Sequence, residues 1–310
     1  MRVAAIDCGT NSIRLLIADI ENGKLTDVVR TMVIVRLGEG VDQTGQFSQA
    51  ALQRTFAAAD TYAELIAQHK PTRVRFVATS ASRDVSNRNE FVSGINARLG
   101  IEPDVISGDE EAALSFLGAT ADLINEVNPP TAPFLVVDIG GGSTEFVLGA
   151  TKPTTAISTN VGCVRMTERH LISDPPTAAQ IAAATLDIDA AIDSAYQAVP
   201  VAQAQSLIGL AGSVTTVAAL ALNLSEYDST QIHGSRITAA AVHQVTQELL
   251  TMTRADRAQL GPMHEGRIDV IGAGALVLDR IMARTGMAEV VVSERDILDG
   301  IARALSDNPS

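Results

Sequence analysis

The sequence predicts an α/β protein made of two related units, and three observations support this prediction. The chain has 310 residues, which is enough for about two domains. Strand-like apolar runs alternate with segments of helical periodicity. The opening pattern of strand, Asp, Gly-containing turn and strand returns in the second half, with Asp138 matching Asp7 at an offset of 131 residues (138 − 7).

The first part of the chain alternates between strands and helices. Runs of apolar or β-branched residues predict strands at 3–7, 13–20, 28–37, 74–78 and 103–107. Apolar residues spaced three or four apart predict helices at 48–70, 82–99 and 109–124. The polar, Pro-rich segment 125–133 is the best candidate for a linker.

The second part opens on strands and is then mainly helical. Strands are predicted at 134–138, 146–148, 207–210 and 289–292, and helices at 177–195, 214–222, 238–250, 267–284 and 296–305. A Thr-x-x-Gln capping box marks the helix that follows Thr177. We therefore predict domains at 1–124 and 125–310, with the last helix, about 296–310, as a candidate to pack back on the first domain.

The composition excludes several classes of protein. A net charge of −13 and 3% aromatic residues argue against a nucleic-acid binder or a protein that binds anionic membranes. No apolar run approaches the length of a membrane helix, and Met1 and Arg2 lead into a strand rather than a signal peptide. With only Cys8 and Cys163, the expected location is the reducing cytoplasm.

The second copy of the repeat predicts a phosphate-binding loop. Between two strands lies Asp138-Ile-Gly-Gly-Gly-Ser-Thr-Glu145, in which the glycines allow backbone N–H groups to converge on an anion. Candidate phosphate-binding residues here are Gly140, Gly141, Gly142, Ser143 and Thr144. Asp138 and Glu145 can face one hydrated Mg²⁺. The alternative is an ordinary β-hairpin, which the paired copy at Asp7 makes less favourable.

The first copy, Asp7-Cys-Gly-Thr-Asn-Ser-Ile-Arg14, lacks the Gly triplet but carries other donors. Asn11, Ser12 and Arg14 offer amide, hydroxyl and guanidinium groups, which predicts a second phosphate cradle. Arg14 lies on an otherwise apolar strand, so it either faces a cleft or pairs with an acid.

Two more segments place polar residues at strand ends, where open α/β sheets bind ligands. Arg83 opens a helix and is a phosphate candidate, against the alternative of an ion pair with Asp84 or another acid. Glu111, Ser115 and Gly118 share one helical stripe, which leaves Glu111 as a candidate general base, although acids in a first helical turn are also normal. The segment around Gly212 is either a nucleotide contact or a simple helix cap.

Taken together, these motifs resemble the exopolyphosphatase/guanosine pentaphosphate phosphohydrolase family of the actin, Hsp70 and sugar-kinase superfamily. The resemblance covers nearly the whole chain in order. The segments that carry it are Asp7–Arg14, Ala78–Asn87, Ser107–Ala112, Asp138–Glu145, Asn160–Glu168, Ala211–Thr216 and Ser293–Ile301.

The resemblance implies a fold and a set of roles. It implies two ribonuclease-H-like (actin-like ATPase) domains flanking a cleft, with Glu111 activating water and Arg83 and the two loops binding phosphates. It also implies Mg²⁺ as cofactor, with Asp138 and Glu145 as metal residues and Asp7 as a third candidate. The absence of the C-terminal helical domain of long family members argues against processive action on very long polyphosphate.

The expected activity is hydrolysis of a terminal phosphoanhydride, with inorganic polyphosphate as substrate. Guanosine pentaphosphate is a closely related alternative that the sequence does not separate. Two other classes stay open, a superfamily ATPase or kinase and a non-catalytic polyphosphate-binding protein. We expect no nucleic-acid or membrane partner; the oligomeric state is not readable, and a homodimer is one expectation.

Overall fold

Two β-sheets organise the structure, a computed structural model that describes residues 1–83, 85–126 and 128–307. Each sheet belongs to one compact unit. Unit 1 comprises Met1–Gly118 together with the segment from Ile297 onward, and unit 2 comprises Ala119–Asp296. The mixed α/β fold with two units, predicted from the sequence, is confirmed.

Unit 1 contains a five-stranded sheet in the order β3-β2-β1-β4-β5. Its strands are β1 (Arg2–Cys8), β2 (Ser12–Glu21), β3 (Lys24–Ile34), β4 (Arg73–Ala78) and β5 (Asp104–Val105). Its helices are α1 (Val41–Thr44), α2 (Gln49–His69), α3 (Ser80–Arg83), α4 (Arg88–Leu99) and most of α5 (Gly108–Leu123). The predicted helix 82–99 is thus two helices, and Asp84, between them, lies outside the described residues.

Unit 2 contains a six-stranded sheet in the order β10-β11-β9-β6-β7-β8. Its strands are β6 (Phe134–Ile139), β7 (Thr144–Gly149), β8 (Pro153–Thr159), β9 (Ser206–Leu210), β10 (Arg236–Thr238) and β11 (Glu289–Val292). Its helices are α6 (Cys163–His170), α7 (Ala178–Ala198), α8 (Ala211–Ala221), α9 (Ser229–Ile232), α10 (Ala239–Thr251), α11 (Arg254–Arg257) and α12 (Ile271–Thr285). The capping box that starts α7 is confirmed, because Gln180 N donates to the Thr177 hydroxyl and Gln180 accepts in return.

The two sheets share one topology, which confirms the internal duplication. In unit 2 the order β8-β7-β6-β9-β11 repeats the order β3-β2-β1-β4-β5 of unit 1, with β10 added at the edge. Each sheet opens with three antiparallel strands, and the next strand runs parallel to the first. The matched residues also pair alike across the first hairpin, Asp7 with Arg14 and Asp138 with Glu145.

The sheet of unit 1 is covered on both faces. Alternate β1 residues point to opposite sides of the sheet. Ala4 and Ile6 join the cluster that includes α2 and α4 residues, whereas Val3 and Ala5 join a second cluster with the last helix, α13 (Ile297–Asp307). Helix α13 packs on β1 and β2, so it completes the core of unit 1 although it follows unit 2 in the chain.

The boundary between the two units lies close to the predicted domain boundary but does not coincide with it. The division falls after Gly118, inside α5, rather than after residue 124, and α13 belongs to unit 1, which agrees with the expectation that the last helix packs back on the first domain. The physical reason is that α5 is one continuous helix with two environments. Leu114 packs with α13 residues, whereas the Ala119 carbonyl accepts from the Ser293 hydroxyl (3.4 Å) in unit 2.

Candidate active site

The loop between β6 and β7 is fixed by the start of helix α6. Cys163 N donates to Gly140 O (2.9 Å), and Val164 N and Arg165 N donate to Gly141 O (2.9 and 3.1 Å). The first N–H groups of a helix have no partner within it, so the loop carbonyls satisfy them. In a trans peptide the N–H points opposite to the C=O. The N–H groups of Gly141 and Gly142 therefore point away from α6, which is the orientation that an anion cradle requires.

Glycine at position 162 makes this contact possible. A Cβ atom there would overlap the carbonyl oxygen of Gly141 and lie 2.7 Å from Gly142 N, closer than real Cβ contacts. The sequence singled out this segment through the family resemblance but gave it no role. Gly162 therefore lets α6 approach the loop closely enough to bind its carbonyls.

Polar side chains form a row across three strands of unit 2. Asp138 on β6 pairs with Glu145 on β7, which pairs with Ser158 on β8. Asp138 is 7% exposed and Glu145 is 1% exposed. Ser158 Oγ donates to Glu145 Oε1 at 2.6 Å. Sequence reasoning found both carboxylates but not the serine, because only the strand register places it beside Glu145.

The two hydroxyls of this loop have different environments. Ser143 is 2% exposed, and its carbonyl accepts from Gly140 N (3.0 Å) to close the turn. Thr144 is fully buried, and its hydroxyl donates to Val161 O at 2.6 Å. A hydroxyl has a single proton to donate. The structure therefore favours a supporting role for Thr144, instead of the predicted phosphate contact by its hydroxyl.

The first loop, in unit 1, has the same turn but a different charge. Gly9 N donates to Ser12 O (2.9 Å), as Gly140 N does to Ser143 O. Arg14 donates to Asp7 Oδ2 from Nε (3.0 Å) and Nη2 (2.6 Å), so of its two predicted roles the structure shows the ion pair. The Asn11 carbonyl accepts from two backbone N–H groups of the segment after β3, which anchors the loop.

A buried tyrosine stabilises this first loop by a hydrogen bond to the strand that follows it. Tyr62 on α2 is 1% exposed and donates its hydroxyl proton to Ile13 O at 2.9 Å. The carbonyl belongs to the strand that leaves the loop. Sequence reasoning missed Tyr62, since it lies in the long helix 48–70 without a motif around it.

Glu111 and Arg83 form an ion pair in unit 1. Arg83 Nη1 lies 2.6 Å from Glu111 Oε2 and also donates to Ile106 O (3.3 Å). Glu111 is 7% exposed, whereas its neighbour Glu110 faces the surface and pairs with Arg75 (2.6 Å). Only one of the adjacent acids is thus buried beside an arginine, and it is the one predicted from the helical stripe.

The environment of Glu111 acts on its pKa in both directions. Burial raises the pKa of Glu111, and the nearby charge of Asp7 raises it further. The charge and hydrogen bond of Arg83, and a hydrogen bond with Thr79, act in the opposite direction. Burial prevails, so the pKa of Glu111 lies above its ordinary value. A carboxylate with a raised pKa is suited to accept a proton near neutral pH.

The candidate metal residues fit Mg²⁺ unequally. Among the residues that the structure describes, no three His, Cys, Asp or Glu side chains form a metal cluster. Mg²⁺ needs only one or two carboxylates, since waters and substrate phosphates complete its shell. The cross-strand pair Asp138 and Glu145 fits this requirement. Asp7 fits less well, because the Arg14 guanidinium already neutralises its carboxylate.

The segment at the start of α8 is occupied by an arginine that the sequence did not reveal. Arg267 Nη1 donates to Thr216 Oγ1 (3.0 Å), and its guanidinium lies 5.9 Å from the centre of the Tyr227 ring. A Cβ at Gly212 would meet the guanidinium, so glycine is needed for this approach. The structure therefore adds Arg267 to the segment as a contact of both Thr216 and Tyr227.

Comparisons with known proteins agree that the chain is similar to phosphatases of one family. Residues 16–305 match the Ppx/GppA phosphatase family. The chain is 49% identical to "Exopolyphosphatase 2" of Mycobacterium tuberculosis, with 98% of each chain covered. It is 25% identical to the "Guanosine-5'-triphosphate,3'-diphosphate pyrophosphatase" of Pseudoalteromonas atlantica, covering 98% of this chain and 58% of that one.

A solved structure extends the similarity to three dimensions. A crystal structure of an "exopolyphosphatase-like protein" superposes with a TM-score of 0.94 and 47% identity, over 98% of this chain and 97% of that one. The fold described above is therefore shared along nearly the full length of both proteins. Among the residues that the structure describes, no helix has the length and apolarity to cross a membrane.

Proposed function

The chain belongs to the Ppx/GppA phosphatase family, and from this premise we propose that it is an exopolyphosphatase that releases terminal phosphate from inorganic polyphosphate by hydrolysis. The structural observation that carries the proposal is the buried Glu111 held by Arg83. The similarity to Exopolyphosphatase 2, which extends over both chains, supports the choice of substrate.

Glu111 is the group that we assign to water activation. Its raised pKa makes it a better proton acceptor than an exposed carboxylate, because proton transfer is most efficient when the pKa of the base is near the working pH. An in-line water gives its proton to Glu111 as its oxygen attacks the terminal phosphorus, and the shortened polyphosphate leaves. No covalent intermediate is required, since phosphoryl transfer depends mainly on positioning and on stabilisation of charge.

Arg83 and the two loops are the groups that we assign to phosphate binding. A guanidinium carries five N–H donors, and Arg83 uses Nη1 for Glu111, so a phosphate can be bound by the same side chain. In unit 2 the outward N–H groups of the Gly140–Ser143 turn are suited to an anion. In unit 1, Asn11, Ser12 and Arg14 are the corresponding candidates.

Mg²⁺ is the cofactor that we propose, with Asp138 and Glu145 as the residues that would hold it. The ion, when bound, would neutralise charge on the phosphate groups. Asp138 and Glu145 are directly opposite each other across the hairpin, and both are nearly buried, so a cation there would stabilise their two negative charges. We also place the protein in the cytoplasm, in keeping with the two buried, unbridged cysteines Cys8 and Cys163.

Guanosine pentaphosphate is the second candidate substrate. It is favoured by the similarity to the pyrophosphatase of Pseudoalteromonas atlantica, but that identity is 25%, against 49% for Exopolyphosphatase 2. Both substrates offer a terminal phosphoanhydride, so the same groups can act on either.

The deciding experiment is release of inorganic phosphate from polyphosphates of defined length. Guanosine pentaphosphate and ATP are assayed in parallel, with and without Mg²⁺, and the Glu111→Gln variant serves as the blank. We expect polyphosphate to be cleaved with the highest kcat/KM, and only with the metal present. Preferential cleavage of guanosine pentaphosphate would establish the second candidate, and ATP turnover alone would reject both.

A further inference from the structure

Ser158 lies beside Glu145 at a position where a hydroxyl can control a carboxylate. The register of β7 and β8 puts the two residues directly opposite each other, and Ser158 Oγ donates to Glu145 Oε1 at 2.6 Å. Glu145 is 1% exposed, so the bond replaces hydration that burial has removed. A donor at this position therefore holds the Oε1 atom of Glu145 toward β8.

The internal duplication supplies an independent comparison. In unit 1 the matching row across β1, β2 and β3 is Asp7, Arg14 and Met32. There the second position is a cation instead of an acid, and the third position is a thioether that cannot donate a hydrogen bond. The hydroxyl is thus present in the copy that carries the second carboxylate and absent from the copy that does not. This pattern indicates that the role of Ser158 is its hydrogen bond to Glu145, rather than a contribution to the structure of the strand.

We propose that Ser158 is a positioning residue for the metal: its hydrogen bond holds the Glu145 carboxylate in one orientation, so that this carboxylate can share a divalent cation with Asp138. This inference rests on the proposed function, which places Mg²⁺ at these two carboxylates. Partners of metal ligands commonly matter almost as much as the ligands, and their removal costs about 10- to 100-fold in metal affinity or activity. Ser158 does not itself contact the substrate.

The test measures binding of Mn²⁺ to the full chain, with the free ion followed by electron paramagnetic resonance. We expect Ser158→Ala to raise the Kd for Mn²⁺ about 10-fold. Ser158→Thr keeps the hydroxyl on a strand residue and should stay within about threefold of the parent. The Mg²⁺ concentration for half-maximal phosphate release should shift in the same order.

Two further variants make the result decisive. Thr155 lies on the same strand with a buried hydroxyl that has no hydrogen-bond partner among the described residues, so Thr155→Val controls for altering a β8 hydroxyl and should bind Mn²⁺ like the parent. Glu145→Gln tests the metal site itself and should weaken binding at least as much as Ser158→Ala.

The outcomes distinguish the role of Ser158 from the proposed metal site at Asp138 and Glu145. If Glu145→Gln weakens Mn²⁺ binding while Ser158→Ala binds like the parent, the metal site stands and the role of Ser158 is rejected. If the parent binds no Mn²⁺, or if Glu145→Gln has no effect, the metal is not at Glu145. The proposed metal site and the role of Ser158 are then both rejected. Equal losses in Ser158→Ala and Thr155→Val would assign the effect to the strand and also overturn the inference.

Discussion

At the scale of single residues, two opposing influences act on the buried carboxylate of Glu111 in unit 1. Burial raises the pKa of Glu111, while the ion pair with Arg83 favours its charged form. The Arg83 guanidinium therefore binds two groups: the carboxylate of Glu111 and, in our proposal, a phosphate of the substrate. In that proposal, a phosphate that attracts the guanidinium would weaken its hold on Glu111, and the pKa of Glu111 would rise further.

The first prediction concerns the identity of the base. Glu111→Gln should lower kcat about 100-fold or more, because a general base contributes a factor of this order, while substrate binding is largely kept. Glu110→Gln is the matched control, since Glu110 lies next to it but faces the surface and pairs with Arg75. Phosphate-release kinetics with both variants give the answer. A larger loss in Glu110→Gln than in Glu111→Gln would show that the wrong carboxylate has been assigned.

The second prediction concerns pH. Arg83→Ala removes the charge and the hydrogen bond that lower the pKa of Glu111, so that pKa should rise further. Since the base must be ionised to act, the acidic limb of the kcat/KM profile should move to higher pH. Arg83→Lys keeps the charge and should move it less. A profile of Arg83→Ala that coincides with that of the parent, or moves to lower pH, would contradict the assignment.

The residue scale also shows what the sequence can reveal. Glu111 was predictable because helical spacing lets only one of the adjacent acids face inward with Ser115 and Gly118. Its ion pair with Arg83 was not, because the two lie on different elements, 28 residues apart. The partner of Arg14 was left open as well, although Asp7 lies directly across the same hairpin.

At the scale of elements, the loop between β6 and β7 and the start of helix α6 form one hydrogen-bonded unit. The helix start binds the carbonyls of Gly140 and Gly141, and this contact sets the direction of the loop N–H groups. The Gly triplet was readable as a phosphate loop because glycine permits such turns. The contact with α6 was not, because nothing in local sequence shows which carbonyls a distant helix will bind.

The third prediction follows from this contact. Gly162→Ala adds a Cβ that overlaps the carbonyl of Gly141, so loop or helix must shift. We expect kcat/KM to fall about 10-fold or more, because a small displacement of a binding loop is costly, together with a lower melting temperature. Phosphate release and circular dichroism measure the two effects. Gly272→Ala is the control, because its Cβ would have only ordinary contacts, the shortest of them 3.4 Å to a Leu250 side-chain atom, in a helix that favours alanine. Parental activity in Gly162→Ala would show that the loop does not depend on α6.

At the scale of the whole molecule, α13 connects the end of the described chain to its beginning. Ile301 and Ala302 are fully buried in one cluster with β1 and β2 residues. Asp299, 1% exposed, pairs with Arg30 on β3 at 2.5 Å. The sequence allowed the last helix to return to the first domain but could not fix the boundary, since α5 shows no break where it passes between units.

The fourth prediction measures this packing. Ile301→Ala should lower the free energy of unfolding by about 2–5 kcal/mol, the usual cost of removing a buried Ile side chain. Chemical denaturation followed by circular dichroism measures the change. Leu186→Ala on α7 is the control, since Leu186 is 73% exposed and should change little. Equal stability of parent and Ile301→Ala would mean that α13 contributes little to the core.

The position of α13 also has a consequence for synthesis on the ribosome. Every residue of unit 2 has been translated before Ile301 appears, whereas the apolar face formed by Val3 and Ala5 waits for that helix. Domains usually complete folding in the order in which they are made. Here we expect unit 1 to finish no earlier than unit 2, because the nascent unit 1 keeps an exposed apolar face until helix α13 emerges.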